Sequence, residues 1–161
     1  MPVAPKPKPV KPEKKSDKVE VHKAPTGTEV TTINGTPVRW TWTVAKKGVR
    51  GDDYEDVEVA PGLHRGHIRS VQEGAKDNPV DDGPLNIIPQ TPIVNLSNVK
   101  RFENWRVKNA GGQEVIVTLL DNGHMQWEMP GNTPPINVTI DPLAEGRFDE
   151  QWWLQGGSWP K

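Results

Sequence analysis

The sequence predicts an α+β domain, with one helix set in a mainly antiparallel β scaffold. Three observations carry this. Seventeen prolines and fifteen glycines in 161 residues cut the chain into short elements. Apolar and polar residues alternate in several separate stretches, the period of a half-buried strand. Only one stretch, residues 95–112, has apolar residues near helical spacing and a glycine stop.

In chain order, residues 1–25 read as a flexible Lys/Pro-rich linker, and residues 26–161 as the folded domain. Alternation such as "PKPKPVKP" favours an extended polyproline backbone that stays solvated. "PVRWTWTVA" (37–45) sets Val38, Trp40, Trp42 and Val44 against Arg39, Thr41 and Thr43, a strand with one buried face. "DDYEDVEVA" (52–60) reads as an acidic loop leading into a short strand; its acids lack EF-hand spacing, so a solvated loop is preferred over a Ca²⁺ site. "GPLNIIPQTP" (83–92) is a short apolar strand bracketed by prolines. The helix over 95–112 uses Val99, Phe102, Trp105 or Arg106, and Val107, and stops at Gly111-Gly112. "EVIVTLLDNGHMQWEM" (114–129) predicts a hairpin around "DNG", and "INVTID" (136–141) a further strand.

Composition excludes several classes. The chain has no cysteine, so disulfides, thiolate metal sites and cysteine nucleophiles are ruled out. No apolar run is long enough to span a bilayer, and the start lacks the apolar region of a standard secretory signal. The expectation is therefore a protein made in the cytoplasm, without a membrane partner, and secreted or delivered by another route. Charge is uneven: residues 1–23 hold seven lysines against Glu13, Asp17 and Glu20, while the whole chain is −1. The domain itself is thus acidic, unlike a purely electrostatic nucleic-acid binder. Any chemistry on a phosphate must rely on a few placed cations.

The segment "GLHRGHIRS" (62–70) concentrates two of the four histidines and two arginines around Gly66. A neutral imidazole near pH 7 can activate water, and a guanidinium can grip a phosphate oxygen. Gly66 would allow a sharp turn or the close approach of a substrate. Phosphodiester cleavage also needs a divalent cation at the leaving oxygen, and hard cations take oxygen ligands. "NIIPQTPIVN" supplies Asn86, Gln90 and Asn95, and Glu103 follows eight residues after Asn95. On one helix, eight residues advance about 12 Å and end about 80° off a common face, so Glu103 would reach a cation at Asn95 only through water.

On these residues the chain resembles the DNA/RNA non-specific endonucleases of the ββα-metal, or His-Me finger, superfamily. The family's first motif is Asp-Arg-Gly-His; this chain has His64-Arg65-Gly66-His67. Its second is Asn-x-x-Pro-Gln followed by an Asn and a Glu, matched by Asn86-Ile-Ile-Pro89-Gln90, Asn95 and Glu103. The match covers roughly residues 62–105. The resemblance implies a ββα-metal nuclease core and Mg²⁺, with Mn²⁺ as the alternative. It implies His67 as general base, Arg65 at the phosphate, Asn95 as direct metal ligand, Glu103 holding metal-bound water, and Asn86 and His64 in support. DNA and RNA would be the substrates. His64 stands where the family has Asp, so its contribution is open. The chain's size and its Lys/Pro leader fit the compact nuclease domains of bacterial polymorphic toxins, which would imply an antibacterial role and a cognate immunity protein.

Each residue also has an ordinary structural reading. His64 and His67 could be surface loop residues, Asn86 and Asn95 turn or cap residues, and Glu103 a solvated helix charge. His124 reads as a hairpin residue and His22 as part of the linker. The tryptophans read as core, with base stacking as the alternative for Trp105, Trp152 or Trp153. The competing function is a non-catalytic binding module: a pseudonuclease, or a glycan-binding domain with a platform at Trp152, Trp153 and Trp159.

Overall fold

The computed structural model describes residues 16–45, 59–70, 73, 80, 83–92, 94–95 and 99–144. The acidic stretch at 52–58 and Trp152, Trp153 and Trp159 lie outside the described residues.

A six-stranded antiparallel sheet dominates. Its strands are β1 (Val19–Lys23), β2 (Glu29–Ile33), β3 (Thr36–Thr43), β6 (Glu114–Leu119), β7 (Met125–Met129) and β8 (Ile136–Ile140), in that spatial order. Between β3 and β6, which are direct neighbours, the chain makes a long excursion. It carries a separate two-stranded antiparallel ribbon, β4 (His64–His67) and β5 (Ile87–Gln90), and then the helix α1 (Val99–Asn109). All the predicted site residues lie on this excursion.

Alternation builds the sheet's buried face. Val30, Trp40, Val117, Trp127 and Val138 are paired in successive registers, one directly opposite the next, and all five are buried. Such cross-strand neighbours on one face are the unit of sheet stabilisation. Trp42, Val115, Met125, Met129, Ile136 and Ile140 extend this face, and Phe102, Val99, Ile68 and Val94 pack onto it from the excursion. The hairpin expected around "DNG" forms, with Gly123 at φ 87°, a conformation that favours glycine.

The expected fold class needs correction. The architecture is mainly antiparallel β with one helix, rather than an α+β fold organised by a ββα-metal core. The reason is where α1 packs. Its buried face sets Phe102 against Trp127 at 5.7 Å between ring centres, and Arg106 over the Trp42 and Trp127 rings. Both tryptophans belong to the six-stranded sheet, so the helix docks on the sheet. One boundary also differs. The sheet begins at Val19, inside the segment read as linker, because β1 pairs with β2 over five residues. His22 therefore sits in a strand, its Nε2 bonded to Thr32 Oγ1 at 3.0 Å.

Candidate active site

The ribbon brings the two motif segments side by side. β4 is the tetrapeptide His64-Arg65-Gly66-His67, and it pairs with Ile87-Ile88-Pro89-Gln90: His64 opposite Gln90, and His67 opposite Ile87. Pro89 is exposed and stands opposite Arg65; a proline, lacking an N–H, is tolerated in a two-stranded ribbon because each strand has one unpaired edge.

Gly66 is an ordinary strand residue rather than a turn. A Cβ at this position would overlap the Gln90 carboxamide, which lies directly on the glycine. The open space expected for a substrate is thus filled by Gln90, itself only 1% exposed. Gln90 Oε1 is buried with no hydrogen-bond partner among the described residues.

Asn95 lies in a helical turn closed by its N–H donating to Thr91 O at 2.9 Å, four residues before α1 starts. Its side chain reaches back across 31 residues, and Nδ2 donates to Nδ1 of His64 at 3.1 Å. With the amide Nδ2 as donor, His64 Nδ1 accepts. This contact points the other end of the carboxamide, Oδ1, away from His64. The residue at the family's Asp position thereby orients the Asn that the resemblance assigns to the metal.

Asn86 is fully buried and holds the exit of β4. Its Oδ1 accepts from the Arg69 N–H at 2.8 Å, its Nδ2 donates to Arg69 O at 2.9 Å, and its own carbonyl accepts from the Ile68 N–H at 2.9 Å. Three bonds from one residue thus fix the backbone immediately after His67. His67 is half-buried, with Nε2 shielded from solvent. Arg65 is half-buried on the same strand. Glu103, on α1, is 14% exposed at its side chain and pairs with Lys100 Nζ at 3.2 Å. The structure joins Asn95 to His64, not to His67.

Behind these residues is a buried polar network that residue-by-residue reading missed. Arg69 donates to Thr28 Oγ1 at 2.6 Å and to Glu73 O at 2.7 Å. Glu73 accepts from Ser70 Oγ at 2.7 Å, Trp42 Nε1 at 3.0 Å and Arg106 Nη2 at 2.8 Å. Glu73 and Arg106 are both fully buried. The Arg106 guanidinium carbon lies 4.7, 5.3 and 5.7 Å from the ring centres of Phe102, Trp127 and Trp42, an aromatic box for a cation. Burial alone would raise the Glu73 pKa. The Arg106 charge and the bonds from Arg106, Trp42 and Ser70 outweigh it, and hold the carboxyl below its ordinary value. One signal was legible: Arg106 falls on the Val99–Phe102 stripe of α1, and an arginine on a buried stripe requires a partner.

The Asn95 carboxamide oxygen and the Glu103 carboxylate are oxygen ligands of the kind Mg²⁺ takes, whereas the Asn86 carboxamide is engaged by the Arg69 backbone. Among the described residues no three His, Cys, Asp or Glu side chains form a metal-holding group.

The chain matches no family model, no curated protein and no solved structure. Among the described residues no helix is long and apolar enough to cross a membrane.

Proposed function

We propose that the protein is a metal-dependent endonuclease that hydrolyses phosphodiester bonds of DNA and RNA without sequence preference. The observation that carries this reading is the convergence of two sequence-distant stretches, residues 64–67 and residues 87–95. His64–His67 pairs with Ile87–Gln90, and the Asn95 carboxamide is bonded to His64. The resemblance assigns the same two stretches to phosphodiester chemistry, and tertiary contact between them is what such chemistry requires.

In this reading His67 takes a proton from water as the water oxygen attacks phosphorus. The P–O3′ bond breaks and the leaving 3′ oxygen takes a proton from solvent, giving a 3′-hydroxyl and a 5′-phosphate. Arg65 binds a non-bridging oxygen through its guanidinium. Asn95 Oδ1 would hold Mg²⁺, or Mn²⁺ in its place, and Glu103 would hold the ion's water. The bound ion supplies charge neutralisation at the leaving 3′ oxygen. His64 acts through Asn95, keeping its oxygen turned out, and Asn86 keeps His67 in place by fixing the backbone after it.

The biological role that fits this chemistry is a toxin delivered into a competing cell, with an immunity protein protecting the producer. Trp40, Trp42 and Trp127 are core residues, as expected, while the alternative platform at Trp152, Trp153 and Trp159 lies outside the described residues.

The test is direct. Purified protein is incubated with supercoiled plasmid and with RNA, with Mg²⁺ and with EDTA. Metal-dependent nicking and loss of RNA are expected. Intact substrates at enzyme concentrations near the substrate's own would refute the reading, and cleavage unchanged by EDTA would remove the metal from it.

A further inference from the structure

The network behind the ribbon links the two halves of the proposed site. From His67, the chain passes to Ile68 and Arg69, whose backbone is clamped by Asn86. Arg69 and Ser70 then grip Glu73, through its carbonyl and its carboxylate respectively. The Glu73 carboxylate is paired to Arg106 at 2.8 Å across a separation of 33 residues. Arg106 lies on the helix that carries Glu103, three residues further along. On an α-helix this is about 4.5 Å of rise and about 60° of rotation. Holding Arg106 in its aromatic box therefore fixes both the depth and the rotation of Glu103. Neighbouring Phe102–Trp127 packing resists outward movement of the helix, but apolar contacts are non-directional and tolerate sliding. The ion pair adds a directional contact.

We infer that the buried Glu73–Arg106 pair is a positioning element, which sets the spacing between the strand that ends in His67 and the helix that carries Glu103. This rests on the endonuclease reading. Burying an ion pair is a weak way to gain stability, since apolar replacement of both partners is often neutral or stabilising. A pair at this junction has a geometric use that such a replacement lacks. Neither residue touches substrate or metal in this account; both act through the elements they join.

The experiment uses the full chain with both partners replaced, Glu73→Gln with Arg106→Met, so that neither partner's charge is left without the other. Circular dichroism and thermal melting identify a temperature at which the variant is folded. Steady-state cleavage of a duplex and Mn²⁺ binding without substrate, followed by electron paramagnetic resonance, are measured there. The expected result is kcat lower by about 10²-fold, the cost of a misplacement on the order of 1 Å, with KM for the duplex nearly unchanged and Mn²⁺ bound more weakly. Ser70→Ala removes a single bond to the Glu73 carboxylate and covers the case in which the double variant does not fold. It should lower kcat by several-fold, again with KM little moved. A folded double variant, or Ser70→Ala if only that folds, with parent-like kcat and Mn²⁺ affinity overturns the inference while leaving the endonuclease reading intact. A parent protein that cleaves nothing overturns both.

Discussion

Replacing Arg106 alone by Met should be far more damaging than replacing both partners. Arg106 and Glu73 are fully buried, and their contact is 2.8 Å. Methionine approximates the length and flexibility of the arginine stem, so the aromatic box is not emptied. What is lost is the charge. Among the described residues, Glu73 is then left inside with only Trp42 and Ser70 as donors to its carboxylate. Breaking a buried pair in this way costs about 3–5 kcal/mol, a large part of the roughly 5–15 kcal/mol that holds a domain folded. With an unfolding entropy of about 2.1 cal/mol/K per residue over roughly 130 residues, the melting temperature should fall by about 10–20 °C.

The pH dependence identifies the cause. In the parent, the folded-state pKa of Glu73 lies below the ordinary 4.5. Its contribution to stability is therefore present above 4.5 and is lost as pH falls through the folded-state value. In Arg106→Met, burial becomes the dominant influence and raises that pKa above 4.5. A carboxyl raised by folding destabilises the fold at neutral pH and ceases to do so once it is protonated. The variant should thus regain stability as pH falls from 7 towards 5, a window in which Glu73 gives the parent no such gain. Urea titrations of both proteins at pH 7 and pH 5 provide the comparison. A loss below about 0.5 kcal/mol at pH 7 would be within the range of surface changes, and together with parallel pH profiles would refute this account of the network.

Three further outcomes follow from the site. His67→Ala should lower the cleavage rate by about 10²–10⁴-fold, the usual contribution of a general base, while Mn²⁺ binding survives; parent-like turnover would assign the base elsewhere. Asn95→Ala should raise the Mg²⁺ concentration needed for half-maximal cleavage more than Glu103→Ala does, because direct ligation is lost in one and a contact through water in the other; equal, unchanged requirements would argue against both assignments. Gly66→Ala must displace the buried Gln90 carboxamide and should cost about 1–3 kcal/mol, the range for overpacking; adding Gln90→Ala should recover part of that loss, and a denaturation midpoint insensitive to either change would show that the close packing is unimportant.

The elements that local sequence determined are those whose pattern repeats within a few residues. Trp40, Trp42 and Val44 alternate, and they form the buried side of β3 and its exit. Val115 and Val117, then Met125, Trp127 and Met129, alternate on either side of "DNG", and the hairpin forms there. Val99 and Phe102 mark the buried stripe of α1. The "HRGH" and "NIIPQ" segments were legible as a pair of motifs, and the ribbon pairs them. By contrast, β1 has no apolar face to announce it: Val19 and Val21 are about half exposed, and the strand exists because β2 offers it a partner.

Tertiary structure alone decided the rest, because each remaining feature depends on a partner far along the chain. The period of α1 shows which stripe is buried but not what covers it; Trp42 and Trp127 cover it, so the helix belongs to the large sheet. Gly66 reads as conformational freedom until Gln90 is seen lying on it. His64 reads as a departure from a family motif until Asn95 donates to its ring from 31 residues away. Glu73 sits in a polar stretch with nothing to mark it as buried, and its burial becomes possible only when Arg106, 33 residues later, brings a compensating charge into the same low-dielectric interior.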